Sequence, residues 1–287
     1  MTDVELEVKV IESPHEMYRW ARAMRNNGLT IGFVATMGAL HTGHLSLIDR
    51  ARSECDRVVV SIFVNPNQFG PGEDFSSYPR PFDDDLKLCD EAKVDIVFHP
   101  TAQAMYESNE TSAISLGGLD ARLEGASRPE HFVGVATIVA KLLAIVKPHR
   151  TYWGKKDAQQ CAVIRHLVRE LNLDVETIFC PVMRESDGLA LSSRNIYLSL
   201  DERTAALHIS AALRAASSSF STGEHQASAL LSTVEKELTI SPLIAVDYVA
   251  IVDPDTFLSV TDVKVGSQLV IAVRVGSTRL IDMVEFV

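Results

Sequence analysis

Two histidines three residues apart, His41 and His44, lie in a stretch that also carries Gly38 and Gly43. The glycines have the GxxxxG spacing of a phosphate-binding loop, but His44-Leu45 stands where that loop needs Lys followed by Ser or Thr, which rejects a Walker A site. What survives is a tight, glycine-permitted turn at a strand end, followed by a helix start whose free N–H groups favour phosphate. Two imidazoles in such a turn can both donate hydrogen bonds or charge to one phosphate as it reacts. Capping or packing histidines are one rival reading; a metal pair is another, disfavoured because no third ligand stands nearby.

Other polar groups fall at points where strands should end. Asn65 and Gln68 follow a strand in Phe63-Val64-Asn65-Pro66-Asn67-Gln68-Phe69-Gly70, with an Asx-turn role as the bland alternative for Asn65 beside Pro66. Gly154-Lys155-Lys156-Asp157-Ala158-Gln159-Gln160 opens a helix. At 100° per residue, Asp157 and Gln160 share the face that continues as Cys161, Ile164, Leu167, Val168 and Leu171, so polar side chains extend a buried stripe. Burying such groups unpaired costs a few kcal/mol each, roughly, and a bound ligand would satisfy Gln160. Lys155 and Lys156 face the same crevice, or form a solvated charge pair. Ser192-Ser193-Arg194 sets paired hydroxyls beside a guanidinium, a combination suited to a triphosphate by charge-assisted bonds, or simply a serine-rich loop. Arg128 can offset ligand charge or form a salt bridge; His131 reads as structural. Asp83, Asp84 and Asp85 read as first-turn acids complementing a helix dipole, with a water-mediated place near magnesium as the lesser option.

The elements that must position these groups alternate. Ser13-Pro14-His15-Glu16 predicts a capping box opening a helix that Gly28 ends. A strand at Ile31–Thr36, a helix at about His44–Glu54 and a strand at Arg57–Val64 make a βαβ unit. Helices follow at about Asp83–Ala92, Val133–Val146 and Lys156–Leu171, with strands at Val94–Phe98, near Tyr152 and at Val175–Phe179. Such alternation predicts a doubly wound, parallel α/β sheet of Rossmann-like type, whose ligands bind beyond the carboxyl ends of the strands. After Asp187 the pattern changes. Ser199 to Glu202 caps a long helix, Gly223 breaks it, a helix follows at about Ala227–Leu238, and strands at Val246–Val252, Gln268–Val275 and Arg279–Val287 end in a hairpin at Gly276-Ser277. The prediction is a domain over residues 1–182 that binds nucleotide and substrate, and a smaller α+β domain over 183–287 with an antiparallel sheet, serving as a lid.

Composition narrows the partners. With 287 residues, 46% hydrophobic, the chain is long enough for one large or two modest domains. A net charge of −11, from 38 acidic and 27 basic residues, argues against nucleic acid, which needs a basic stripe. Cys55, Cys89, Cys161 and Cys180 form no CxxC pair and read as reduced core residues. Met1 to Glu7 carries Asp3, Glu5 and Glu7 where a secretory signal needs basic residues. The apolar run Phe132–Val146 is interrupted by Lys141 and falls short of the ~20 residues that span a bilayer. A cytoplasmic protein with no membrane contact is expected.

The stretch Ala35 to Leu47 resembles the HIGH-type signature of the adenylate-forming nucleotidyltransferases, and within that superfamily the pantothenate synthetase (pantoate–β-alanine ligase) family. Matching blocks follow in order: Phe63 to Gly70, Tyr78-Pro79-Arg80, Leu123 to Pro129, His131 to Val135, Gly154 to Gln160 and Pro181 to Asn195, with a fainter echo at Gly276 to Asp282. The chain departs from the family pattern at Ala35, Thr42, Asn67 and Leu191.

The resemblance implies condensation of pantoate with β-alanine by an AMP-forming ligase: ATP converts pantoate to pantoyl adenylate with release of pyrophosphate, and the amine then displaces AMP. It implies ATP held by Met37, Gly38, Ala39, Leu40, His41, Thr42, Gly43 and His44, by Gly154, Lys155, Lys156 and Asp157, and by Met183, Leu191, Ser192, Ser193 and Arg194. His44 would serve the departing pyrophosphate with His41 assisting, and Lys156 and Arg194 would supply fixed positive charge. Gln68, Gln160 and Asn65 would bind the small substrates. Magnesium is expected through the phosphates with no protein ligand nominated, and a homodimer is implied. A HIGH-type enzyme that keeps the adenylyl group in its product and a nucleotide-binding regulatory module stay open; pantoate-dependent pyrophosphate exchange separates them.

Overall fold

A computed structural model describes residues 7–106 and 113–287. The stretch Met1 to Glu7, read as lacking a secretory signal, lies outside the described residues except for Glu7. The chain divides into two compact units, residues 1–154 with 163–180, and residues 155–162 with 181–287.

In the first unit, the elements in chain order are β1 (Lys9–Ile11), α1 (Pro14–Asn26), β2 (Ile31–Thr36), α2 (Thr42–Glu54), β3 (Arg57–Ile62), α3 (Phe82–Glu91), β4 (Ile96–Phe98), the short α4 (Ala102–Met105) and α5 (Glu124–Ser127), α6 (His131–Val146), β5 (Arg150–Gly154) and β6 (Glu176–Cys180). Helix α7 (Ala158–Glu170) belongs partly to each unit. Among the described residues β1 to β6 form one parallel sheet in the order β1-β4-β3-β2-β5-β6. The β-branched run in β3 is buried on both faces because the crossover helices cover both. Val34, Val58, Val60 and Val97 pack against Leu47, Ile48 and Ala51 of α2 and Cys89 of α3. Strand order reverses between β2 and β5, which pair at Gly32 with Arg150 and Phe33 with Thr151. Open α/β sheets bind ligands at that switch point, beyond the strand carboxyl ends.

The second unit contains α8 (Leu200–Ser221), α9 (Ala227–Leu238), β7 (Ile244–Val252), β8 (Gln268–Val275) and β9 (Thr278–Glu285). The three strands form an antiparallel sheet in chain order, and Val275 opposite Thr278 closes the hairpin at Gly276-Ser277 as predicted. Ala206, Ile209 and Leu213 of α8, with Leu230 and Val234 of α9, pack against Leu269, Ile271 and Val273 of β8. Ser199 caps α8 in the predicted reciprocal box with Glu202.

Several boundaries differ from expectation. Strand β1 was not predicted; three residues are too short to show a period. Helix α2 starts at Thr42 and α6 at His131, each two residues early, while α7 starts at Ala158, two residues late. Ser13 caps α1, but Glu16 turns away from the reciprocal bond to pair with Lys9 at 2.9 Å. The four cysteines are free and buried, as expected, and burial pushes the Cys89 thiol up to about 12. Among the described residues no helix is long and apolar enough to cross a membrane.

Candidate active site

The turn after β2 is built almost entirely from its own residues. Gly38 (φ +83°) and Ala39 (φ +42°) are left-handed, which reverses the chain within two residues. His41 is the N-cap of α2: its Nδ1 accepts from the Gly43 N–H at 3.1 Å, and His44 Nδ1 accepts from the His41 N–H at 3.3 Å. Each imidazole therefore caps the other's turn, with ring centroids 4.1 Å apart. A neutral ring that accepts at Nδ1 carries its proton on Nε2, so the backbone sets both tautomers.

Most of the main-chain donors expected to be free in this turn are engaged. The Gly38 N–H donates to Thr36 Oγ1, the Leu40 N–H to Asp85 Oδ1 at 2.6 Å, and the His44 and Leu45 N–H groups to the His41 carbonyl. The Gly38 and Leu40 bonds shape the turn, and those of Gly43, His44 and Leu45 run to His41 and open α2. Asp85 is also more than a first-turn acid complementing the dipole of α3. It is 2% exposed, and burial raises its pKa against the pull of the Leu40 and Ala39 N–H groups.

Beyond β3, Asn65 caps the short turn Pro66–Gln68. Its Nδ2 donates to Gln68 Oε1 (3.1 Å) and the Gly134 carbonyl (3.2 Å), and its Oδ1 accepts from Tyr106 Oη (2.8 Å) and the Asn67 N–H (3.4 Å). With two donors and two acceptors used, Asn65 in this conformation orients Gln68, which is itself buried. A Cβ on Gly134 would meet the Asn67 carbonyl at 2.1 Å, so only glycine lets α6 lie this close to the turn. His131 donates from Nδ1 to the Gln68 carbonyl at 2.8 Å and accepts at Nε2 from Arg128 at 3.1 Å. Burial and the adjacent guanidinium push its pKa down, matching a neutral ring with one donor and one acceptor. Arg128 forks onto Glu73 with both bonds at 2.8 Å, the salt-bridge alternative weighed for it.

In the second unit, Lys156 Nζ donates to the Leu191 carbonyl at 2.9 Å. Burial lowers its pKa, while Asp157 and Asp282 oppose that shift. Lys155 pairs with Glu285 at 2.5 Å. Met183 to Leu191 folds back on itself: the Leu191 N–H donates to the Met183 carbonyl and the Glu185 N–H to the Leu189 carbonyl, around Gly188 at φ +95°. Arg184 forks onto the buried Asp282 of β9 at 2.7 and 3.0 Å. Asn195 donates to Glu185 Oε1 and the Ala190 carbonyl, and Arg203 reaches Glu185 and Asp187, each at 2.6 Å. Ser192 caps the turn Ser193–Tyr197, leaving Ser193 and Arg194 exposed.

The predicted residues fall into two groups. Met37 to His44, Asn65, Gln68 and Gly154 lie on the first unit, and Lys155, Lys156, Asp157, Gln160, Met183 and Leu191 to Arg194 on the second. The expected buried polar stripe on α7 is shifted. Asp157 precedes the helix and is exposed, Gln160 is only partly buried, and Gln159 is buried instead, while Leu171 is exposed. The roles of Asp85, Glu73, Arg184 and Asp282 were missed. One signal for Asp85 was available: it stands four residues before buried Cys89, on the inward face of α3.

The parallel sheet with its reversal beside a His-x-x-His turn defines a Rossmann-like α/β chain of the HIGH type. The profile described as pantoate-beta-alanine ligase matches residues 9–285. The chain belongs to the pantoate–β-alanine ligase family and is therefore an enzyme. It is 49% identical over 277 residues to the pantothenate synthetase of Thermotoga petrophila and 50% identical over 276 residues to that of Heliobacterium modesticaldum, each match covering 96% of this chain and 98% of the relative. Among solved structures, pantothenate synthetase from Thermus thermophilus superposes with a TM-score of 0.89 at 42% identity, covering 97% of this chain and 99% of that one. The pantoate-beta-alanine ligase of Francisella tularensis, solved with β-γ ATP and β-alanine, gives 0.76 at 32% identity, with 97% of each chain covered.

Proposed function

We propose that this chain joins pantoate to β-alanine at the expense of ATP, through pantoyl adenylate. A carboxylate does not condense with an amine in neutral water because its oxygen is a poor leaving group. In the first step a pantoate carboxylate oxygen attacks the α-phosphorus and the bond to pyrophosphate breaks. In the second the β-alanine amine attacks the acyl carbon, loses a proton, and AMP departs. No covalent enzyme intermediate is needed, in keeping with four buried thiols. Catalysis is then mainly positioning and charge neutralisation.

His44 donates from Nε2 to the phosphates on the pyrophosphate side, and His41 assists. Lys156 and Arg194 supply fixed positive charge. Gln68 and Gln160 hold pantoate, with Asn65 setting the Gln68 amide. ATP is bound by Met37 to His44, Gly154 to Asp157, Met183 and Leu191 to Arg194. Residues 1–182 act as the nucleotide- and pantoate-binding domain and 183–287 as its lid. Magnesium would be bound through the phosphates of ATP and would neutralise part of their charge. The chain works as a cytoplasmic homodimer without nucleic acid or membrane partners.

The observation that carries this reading is the reciprocal imidazole cap, which fixes two Nε2–H donors at a strand end beside the sheet's switch point. The test is exchange of labelled pyrophosphate into ATP with pantoate present and β-alanine absent. Exchange that needs pantoate is expected. ATP binding without exchange would instead identify a regulatory module.

A further inference from the structure

We propose that Asp85 is a positioning residue for the reaction: its buried carboxylate holds the turn after β2 in the conformation that presents the two imidazoles. The inference rests on the role proposed for His41 and His44, and its grounds are geometric. Asp85 Oδ1 accepts from the Leu40 N–H at 2.6 Å, the position just before His41. Ala39, immediately before Leu40, is held at φ +42°, a backbone conformation that a residue with a Cβ adopts only when its surroundings enforce it. A Cβ on Gly38 would stand 2.8 Å from Asp85 Oδ2, so glycine is required both by the turn and by the approach of the carboxylate. Tyr78 Oη donates to the Gly38 carbonyl at 3.2 Å and closes the turn from its other side.

The second carboxylate oxygen is buried and makes no hydrogen bond of good geometry, the Ala39 N–H lying near the carboxylate without completing one. Folding alone gives no reason to keep it, since an unsatisfied buried polar group costs free energy that an apolar side chain would not. The same helix already turns Leu86 and Cys89 toward the core. What an apolar residue cannot do is anchor the Leu40 N–H. With that anchor lost, Leu40 is free to rotate and the His41 N–H, which bonds His44 Nδ1, moves with it. Asp83 and Asp84 of the same helix turn do not share this role: Asp84 pairs with Lys87 at the surface.

Asp85→Leu keeps the volume and removes the acceptor of the Leu40 N–H, while Asp85→Asn keeps an acceptor oxygen and serves as the conservative rescue. The kcat of Asp85→Leu in complete turnover should fall about tenfold or more, as small misplacements of reacting groups do, with the KM for pantoate within about twofold of wild type, and Asp85→Asn should recover most of that loss. Asp83→Asn serves as the exposed control and should leave both unchanged. Nitrogen NMR of the imidazoles should show the uniform Nε2–H signature of His41 and His44 in wild type broadened or mixed in Asp85→Leu. A folded Asp85→Leu protein with wild-type kcat and unchanged imidazole spectra overturns the proposal. Hydrogen exchange of the Leu40 amide in wild type needs no variant: slow exchange is expected, and exchange at the rate of an open turn also overturns it. If wild type lacks pantoate-dependent exchange, the functional reading fails, whereas the NMR and amide measurements still decide the clamp.

Discussion

In the turn after β2, the bonds that fix the imidazoles run to atoms within three residues or to one buried carboxylate. In the Met183–Arg194 segment they run instead through ion pairs partly open to water, from Arg184 to Asp282 and from Arg203 to Glu185 and Asp187. The first region fixes its rings by neutral, short-range bonds, which salt screens little. The second pairs a rigid base, the fold-back around Gly188, with the exposed donors Ser193 and Arg194. Polar side chains are thus held in two ways: by short-range capping in the turn, and by longer-range ion pairs around the fold-back.

Three substitutions test that contrast, from the largest expected effect downward. Arg184→Met leaves Asp282 buried without its partner and should destabilise the second unit by about 3 kcal/mol in denaturant unfolding. The pH dependence has a definite sign. Burial holds the Asp282 pKa above its unfolded value despite Arg184, so the folded carboxylate is disfavoured as pH rises through that raised pKa. Removing the guanidinium raises it further. The deficit of the variant should therefore be full near neutral pH and shrink on acidification through the raised pKa; a deficit that grows on acidification would contradict the assignment. His44→Ala should cut pantoate-dependent exchange about 100-fold, the scale of one lost transition-state donor, with the fold retained. Near-normal exchange in a folded His44→Ala protein removes His44 from the chemistry. Smallest, Arg203→Ala should cost no more than about 1 kcal/mol and lose most of that cost in high salt, because its ion pairs are partly exposed. A larger, salt-independent loss would mean that the fold-back is held as firmly as the turn.

Much of the fold was legible before any coordinates. The β-branched run of β3, the Ser199–Glu202 box and the two-residue hairpin at Gly276-Ser277 are local patterns whose physics acts within a few residues, and they appear where expected. The three residues of β1 were not legible, because their pairing with β4 is supplied by a partner 87 positions away, as Lys9 opposite Ile96 shows. The His41 and His44 pair was singled out from spacing, but not the nitrogen each uses. The start of α7 was placed too early, and with it the depth of Gln160, since periodicity fixes which residues share a face and leaves open where the first turn begins.

The amino-acid order alone determined the alternation of strands and helices, the glycine turn with its two imidazoles and the family to which the chain belongs, because each is written in neighbouring residues. Tertiary structure decided which distant groups complete those local pieces: Asp85 reaching Leu40 from 45 positions away, and Arg184 meeting Asp282 across 98. Whether a buried carboxylate is stable depends on which donors the packed chain brings to it, and no local pattern carries that information.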